Sequence, residues 1–485
     1  MYQGLLFNII YNVLFVLTGY IMHYFLGSVM TPAQYGIVGT IITILDFEYL
    51  FLNNGVRQSL SKELSKKRYN IKDLLLKSLV FQLLLISVLF SINFFGAPVF
   101  ANVLNDQSFS VYLKYVAFII PINGIYVLSL GINDGLKHFV SSAWIGIFYA
   151  IAKLSVIPFV IYVFTDPVIG TVMGFLFAIF VALIVGIITI IRNRRDLIAD
   201  FKAKIPFKSY IHSVFSFSLF FIIVSVVLSV DTLVVKSVVA DKDMAGYYTG
   251  AVNFGKVSYF LLSAFFTIIL PTTTAMYVAG NIDRMKKTVR DMMLIIVAFI
   301  MPITCIISAS SGTLLSVFYS PEYKEATMTL AILAFSHFFM GVAVMTNMII
   351  SSTNEKKFST WLALIMLVLD ITACIILTNY YGIIGTAISS ILCTFFTMLI
   401  SALFMKKILF NLINKEIVKI IVFNLILWIV VFLIFKVISI NNIFCLILIY
   451  GILYVAVLGI LLSTKLLKIE KLYAILGKDK ENKIV

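Results

Sequence analysis

The sequence predicts an all-α polytopic membrane protein of about 14 transmembrane helices, built as two six-helix lobes followed by a C-terminal helix pair. Three observations predict it. Of 485 residues, 61% are hydrophobic and only 12% are charged, about half the charged share of a soluble chain. Apolar runs of about 20 residues, the length that crosses the hydrocarbon of a bilayer, recur from end to end. Lys and Arg crowd into every second connection between those runs, the bias of cytoplasmic loops.

In order, the predicted spans are 5–28, 35–55, 78–103, 110–131, 140–164 and 167–191, then 212–236, 245–270, 291–317, 326–350, 358–378 and 383–405, and finally 418–438 and 442–464. The first opens near Leu5 with no basic residue before it, and it is too long for a signal peptide, so it reads as a retained helix. The connection after the second span carries Arg57, Lys62, Lys66, Lys67, Arg68, Lys72 and Lys77, and the one after the sixth carries Arg192, Arg194, Arg195, Lys202, Lys204 and Lys208. Later even-numbered spans are followed by Arg284, Lys286, Lys287 and Arg290, by Lys356 and Lys357, and by Lys406, Lys407, Lys415 and Lys419. The opposite connections hold only Lys242 and Lys324 among basic residues, beside Asp106, Asp166, Asp241, Asp243, Glu322 and Glu325. The alternation holds throughout only for an even number of spans with both termini in the cytoplasm, and it places the chain in the cell membrane.

Spans 1–6 and 7–12 repeat one layout at a separation of about 210 residues, with the same orientation in both halves. Tyr35-Gly36 after the first outer connection is echoed by Gly246-Tyr247-Tyr248 after the matching one. The expected domains are therefore an N-terminal lobe over 1–200, a C-terminal lobe over 201–410, and a helix pair with a basic tail over 411–485.

Ionisable groups at mid-bilayer cost roughly 2.5–3.5 kcal/mol each on insertion scales, and they face protein or water rather than lipid. Four sit midway along their spans: Asp46, Lys153, Lys256 and Asp370. Repeat-related spans thus carry one charge each, with signs exchanged between Asp46 and Lys256 and between Lys153 and Asp370. Polar residues extend the same faces. Asn8 and Asn12 align on span 1, Asn53 and Arg57 continue the Asp46 face of span 2, Lys236 closes span 7, and Asn253 shares a stripe with Lys256. Asp231 points away from the polar face of its span, and Glu48 lies on the far side of its helix from Asp46. The same residues also suit a structural role, with Asp46 paired to Lys256 or Lys153 to Asp370, and with the Asn and Ser stripes joining helices. Lys236, near a span end, also reads as snorkelling.

Other chemistries are excluded by what is missing. The net charge of +15 comes without a basic stripe interleaved with aromatics, so nucleic acid is not a partner. No GxxxxGK[ST], HExxH or GxSxG motif occurs, and the four cysteines lie in apolar runs without metal-ligand spacing. No catalytic residue, metal site or cofactor is expected. The outer connections are short for the acidic groups of a membrane-embedded glycan polymerase, which counts against that reading without removing it, and Asp241 and Asp243 read as loop solvation.

The segments Thr31-Pro32-Ala33-Gln34-Tyr35-Gly36, Asn54-Gly55-Val56, Ser59 to Lys67, Val230-Asp231-Thr232 and Ala245-Gly246-Tyr247-Tyr248 resemble the polysaccharide-export flippases, the Wzx-type branch of the MATE-like (MOP) superfamily. The resemblance spans nearly the whole chain. It implies a central cavity lined by helices 1, 2, 7 and 8, and transfer of a polyprenyl-linked oligosaccharide from the inner to the outer leaflet by alternating access. By this resemblance Lys256, Lys236, Arg57 and Lys153 meet the carrier's phosphates, and Asn8, Asn12, Asn53 and Asn253 line the cavity. Asp46, Asp370 and Asp231 are the ion-coupling candidates. The implied partners are the lipid-linked oligosaccharide and membrane lipid, with a glycan polymerase and glycosyltransferases acting beside it. Thr232 stands where relatives often carry a basic residue. Three alternatives remain open: a MATE-like cation or drug antiporter, a flippase for the lipid-linked peptidoglycan precursor, and the embedded polymerase.

Overall fold

The computed structural model describes residues 2–66, 68–197, 203–353, 355–412, 414–438, 440–464 and 466. The basic tail beyond Leu466 lies outside the described residues. Among the described residues, 11 helices are long and apolar enough to cross a membrane. One of them, Lys356–Ile408, is two helices folded at Gly382, whose φ of 58° is a left-handed conformation open to glycine. With the two broken helices over 207–278, this matches the expected architecture of about 14 spans. Packing divides the chain into two units, Met1–Gly246 and Tyr247–Val485. The repeat counts helices and breaks at 200/201, whereas the packing boundary falls one helix later.

The first unit holds α1 (Tyr2–Val29), α2 (Pro32–Ser65), α3 (Ile71–Val103), α4 (Phe109–Gly135), α5 (Phe139–Val163), α6 (Pro167–Arg192) and the two-piece α7 (Phe207–Val227 and Val230–Val238). The Thr-Pro-Ala-Gln segment is a helix start. The Thr31 hydroxyl accepts from Gln34 N (3.3 Å), Gln34 Oε1 accepts from Thr31 N (3.1 Å), and Pro32 occupies the first turn, where its missing N–H costs nothing. Asn70 and Asp166 cap α3 and α6 in the same manner. Small residues let the helices approach: a Cβ on Gly174 would meet Val156 Cα at 2.6 Å, and one on Gly146 would meet the Tyr11 ring at 2.6 Å.

A strap on the side of the basic connections joins α3 to the entry of α7. Tyr69 and Ala203 form a parallel bridge, and Asn70 N donates to Ala203 O at 2.7 Å. Asp73 accepts from Ile205 N (3.1 Å) and Lys77 (2.8 Å), whose ammonium also donates to Ile205 O (2.6 Å). Ile205 itself sits in an apolar cluster with Val56, Leu60, Leu64, Leu74 and Tyr210.

The second unit begins within the broken helix α8 (Lys242–Gly255 and Val257–Val278). It continues through α9 (Ile282–Ala309), α10 (Thr327–Ser351), α11 and α12 (356–381 and 383–408), α13 (Lys415–Val437) and α14 (Ile443–Ser463). The added pair docks on α9 through polar hooks. Asn424 donates to Val297 O (3.0 Å), Trp428 Nε1 to Ser308 Oγ (3.0 Å) and Tyr454 OH to Phe299 O (3.2 Å). Between helices surrounded by hydrocarbon, such bonds and close packing replace the hydrophobic effect. The outward faces stay apolar and exposed, as at Phe95, Tyr162, Trp361 and Phe444, which suits lipid rather than water.

Candidate functional site

Most of the candidate charges fall where a helix loses its regular winding. Arg57 ends a π-helical stretch, Phe51–Arg57, inside α2. Lys153 opens a 3-10 turn, Lys153–Ser155, inside α5. Lys256 occupies the turn between the two pieces of α8, and Asp231 lies in the first turn of the second piece of α7. Asp46, Lys236 and Asp370 stand in regular helix. Irregular winding inside a membrane frees backbone groups and re-aims side chains, and it is tolerated only where protein or water meets them.

In the first unit these groups converge. The Arg57 guanidinium grips Asp134 of α4 through Nε (2.9 Å) and Nη2 (2.7 Å), and Nη1 donates to Asn53 Oδ1 at 3.0 Å. Ser142 of α5 donates to the other oxygen of Asp134 at 2.6 Å, so α2, α4 and α5 meet at one carboxylate. Lys153 is 5% exposed; its ammonium donates to Phe15 O at 3.3 Å and lies 4.2 Å from the Phe15 ring centroid. Gly19 makes room for it, since a Cβ there would stand 3.4 Å from the ammonium. The Asp46 charge reaches Lys153, Tyr49 and Tyr149. Asp46 and Asn12 are exposed.

Tyrosines surround these charges. Tyr11, Tyr49, Tyr126 and Tyr149 lie near one another and near Arg57 or Asp46. The Tyr11 and Tyr149 rings flank Phe15 at 5.9 and 6.2 Å, and Tyr126 packs on Tyr149 at 6.0 Å. The result is a wall of ring faces and hydroxyls carrying two cations, two carboxylates and an amide. Glu48, on the far face of α2, is buried instead and accepts from Asn93 of α3. The side chain of Asn8 lies outside the described residues.

The remaining candidates lie elsewhere. Lys236 is buried in an ion pair with Asp106, Nζ to Oδ2 2.8 Å, so it does not snorkel. Asp231 is buried and accepts from Thr232 N at 2.7 Å. In the second unit Lys256 is half-buried, Asn253 donates to Tyr319 OH at 3.3 Å, and buried Asp370 accepts from Ser389 at 3.3 Å. Asp46 therefore has Lys153 as an electrostatic partner, a pairing absent from the sequence reading. The sequence reading also missed Asp134, Ser142 and the tyrosines. Asp243 corrects another expectation: its Oδ1 accepts from Ala33 N at 2.9 Å, so it joins two outer connections instead of only solvating a loop.

The family model described as polysaccharide biosynthesis protein matches residues 1–277. This chain belongs to that family. A second model, MatE, matches residues 217–376 of this family member, which is a flippase or transporter of the MOP superfamily. Its fold is similar to that of the lipid II flippase MurJ in an inward closed conformation, with TM-score 0.73 and 18% identity over 94% of this chain and 97% of that one. It is similar too to an inward-facing multidrug resistance MATE family transporter, with TM-score 0.65 and 14% identity over 85% and 95% of the two chains. A MATE transporter of Vibrio cholerae gives TM-score 0.58 and 11% identity over 84% and 94%. No curated protein matches the sequence.

Proposed function

We propose that this flippase carries a polyprenyl-linked oligosaccharide from the cytoplasmic to the outer leaflet of the cell membrane by alternating access. The observation that carries the reading is the tyrosine-walled group of Arg57, Lys153, Asp46 and Asn53 in the first unit. Sugar rings present apolar C–H faces and many hydroxyls, and a wall of aromatic faces, phenols and amides offers partners for both. Unpaired polar groups cost several kcal/mol each in hydrocarbon, so a glycan crosses only where such partners replace water. The cations suit the diphosphate that links glycan to carrier.

In this reading 1–200 and 201–410 act as like-oriented lobes, 411–485 is an accessory pair, and both termini face the cytoplasm. Lys256, Arg57 and Lys153 contact phosphate, Asn253 contacts the glycan, and Asp46, Asp370 and Asp231 are the candidates for ion coupling. Enzymes that build and polymerise the glycan supply and consume the cargo. A flippase for the peptidoglycan precursor is the second reading, favoured by the likeness to the lipid II flippase MurJ. Deleting the gene and identifying the lipid-linked saccharide that accumulates on the inner leaflet tests both. A polysaccharide repeat unit with normal wall growth supports the first, the wall precursor supports the second, and no accumulation refutes both.

A further inference from the structure

The ion pair between Lys236 and Asp106 carries more than a packing role. Both side chains are 3% exposed, and a second cation, Lys242, reaches the other oxygen of Asp106 at 3.6 Å while remaining 59% exposed. Two ammonium groups thus converge on one carboxylate, leaving one positive charge uncancelled within the trio. Asp106 is presented from the outer turn between α3 and α4. There Asn105 adopts a φ of 50°, and its side chain donates to Ser237 O at 2.6 Å. Ser108 holds the carboxylate from the other side through Oγ (2.6 Å) and N (3.3 Å). The neighbouring acid, Asp166, is occupied as the α6 cap and as acceptor from Tyr112.

A buried ion pair gains little over an apolar contact, but removing one partner leaves a costly unpaired charge. Parting the outer end of α7 from the 104–108 turn breaks this pair, and an anion that takes the place of Asp106 lowers the cost. We propose that Lys236 and Lys242 form an outer-end binding site for the phosphate groups of the lipid-linked cargo, and that Asp106 is a tethered stand-in which the cargo displaces. The inference rests on the flippase reading for its cargo, and the site's chemistry is that of a diphosphate. A dianion meets two ammonium groups better than one carboxylate does. The arriving phosphate would then release the outer connections, which stay tied when no cargo is present.

Inorganic pyrophosphate is the probe, with thermal unfolding of the full-length protein in detergent as the readout. Asp106→Asn vacates the anion position, so pyrophosphate should raise its Tm and bind at least about tenfold tighter than to the native chain, as expected for a close charge pair. The double variant Asp106→Asn/Lys236→Met should lose that response. An equal response in the native, single and double variants would overturn the proposal. Should Asp106→Asn fail to fold, spin labels at Gln107 and Ala240, with the native cysteines replaced by alanine, report the native pair. Polyprenyl diphosphate should lengthen their separation, and an unchanged separation overturns the proposal. Flipping of lipid-linked saccharide by native protein in vesicles is measured in parallel. Flipping without a Lys236-dependent pyrophosphate response sinks this site alone. A Lys236-dependent response without flipping sinks only the transport reading.

Discussion

Gly36 and Gly246 touch backbone to backbone. A Cβ on Gly36 would lie 2.7 Å from Gly246 N, and one on Gly246 would lie 1.9 Å from Pro32 O. These are the glycines of the two echoed Tyr/Gly motifs, so the two motifs meet, and the bond from Ala33 N to Asp243 fixes their register.

The first prediction follows from that contact. Gly246→Ala places a methyl group far inside van der Waals contact distance of a carbonyl oxygen, and neither backbone can yield cheaply. Transport should fall at least about tenfold, and a thiol placed at Ala33 should become more reactive to a membrane-impermeant reagent. Unchanged transport and labelling would show that the contact is dispensable.

Arg57→Lys keeps the charge but loses the two-point grip on Asp134 and the bond to Asn53. Export should drop while membrane insertion stays normal. Asp134→Asn should give the same loss, because it weakens the same junction of α2, α4 and α5. Quantitative immunoblotting beside export separates a lost junction from lost protein.

Asp46 and Lys153 should be energetically coupled. A double-mutant cycle of Asp46→Asn and Lys153→Met, read by thermal unfolding, should give an interaction energy of about 0.5–3 kcal/mol. Additive effects would mean that the two charges act independently.

The Asp106 pair should ignore physiological pH. Burial raises the pKa of Asp106, but the bonds from Lys236 and Ser108 and the charges of Lys236 and Lys242 outweigh it and hold the carboxyl below its ordinary value. A lowered folded-state pKa stabilises above the unfolded value, about 3.9, and that contribution is lost as pH falls through the lower folded value. The stability gap between native protein and Asp106→Asn should therefore be flat from about pH 5 to 8 and close below about pH 4. A gap that closes near pH 6 would contradict this assignment.

Asn424→Ala should cost about 1–2 kcal/mol, since it leaves the docking of α13 on α9 without its bond to Val297 O. Unfolding of the purified variant measures it. A neutral result would mean that apolar packing alone seats α13.

The spans were legible because each crosses oil, and apolar length records that directly: the predicted 167–191 and 442–464 meet helices Pro167–Arg192 and Ile443–Ser463. The midspan charges were legible for the same reason, since Lys153 is conspicuous among apolar neighbours. Their partners were not. Helical periodicity gives the face of a residue but not the helix it meets, so Asp46 was weighed against Lys256 when Lys153 was within reach. Asp106 and Lys236, 130 positions apart, offered no local signal of their pairing. The tyrosines escaped notice because an aromatic residue in a membrane helix looks alike whether it faces lipid or a polar wall. The breaks have local causes: Pro158 offers no N–H to Leu154 in the turn that Lys153 opens, and Gly255 directly precedes Lys256.

The strap between Tyr69 and Ala203 gives the passage from one repeat to the next a fixed address. With Asp73 and Lys77 clasping both backbone groups of Ile205, α7 starts from a ledge on α3. Covalent continuity through 198–202 then matters less than the ledge, and a chain severed there and synthesised as two polypeptides should still reassemble.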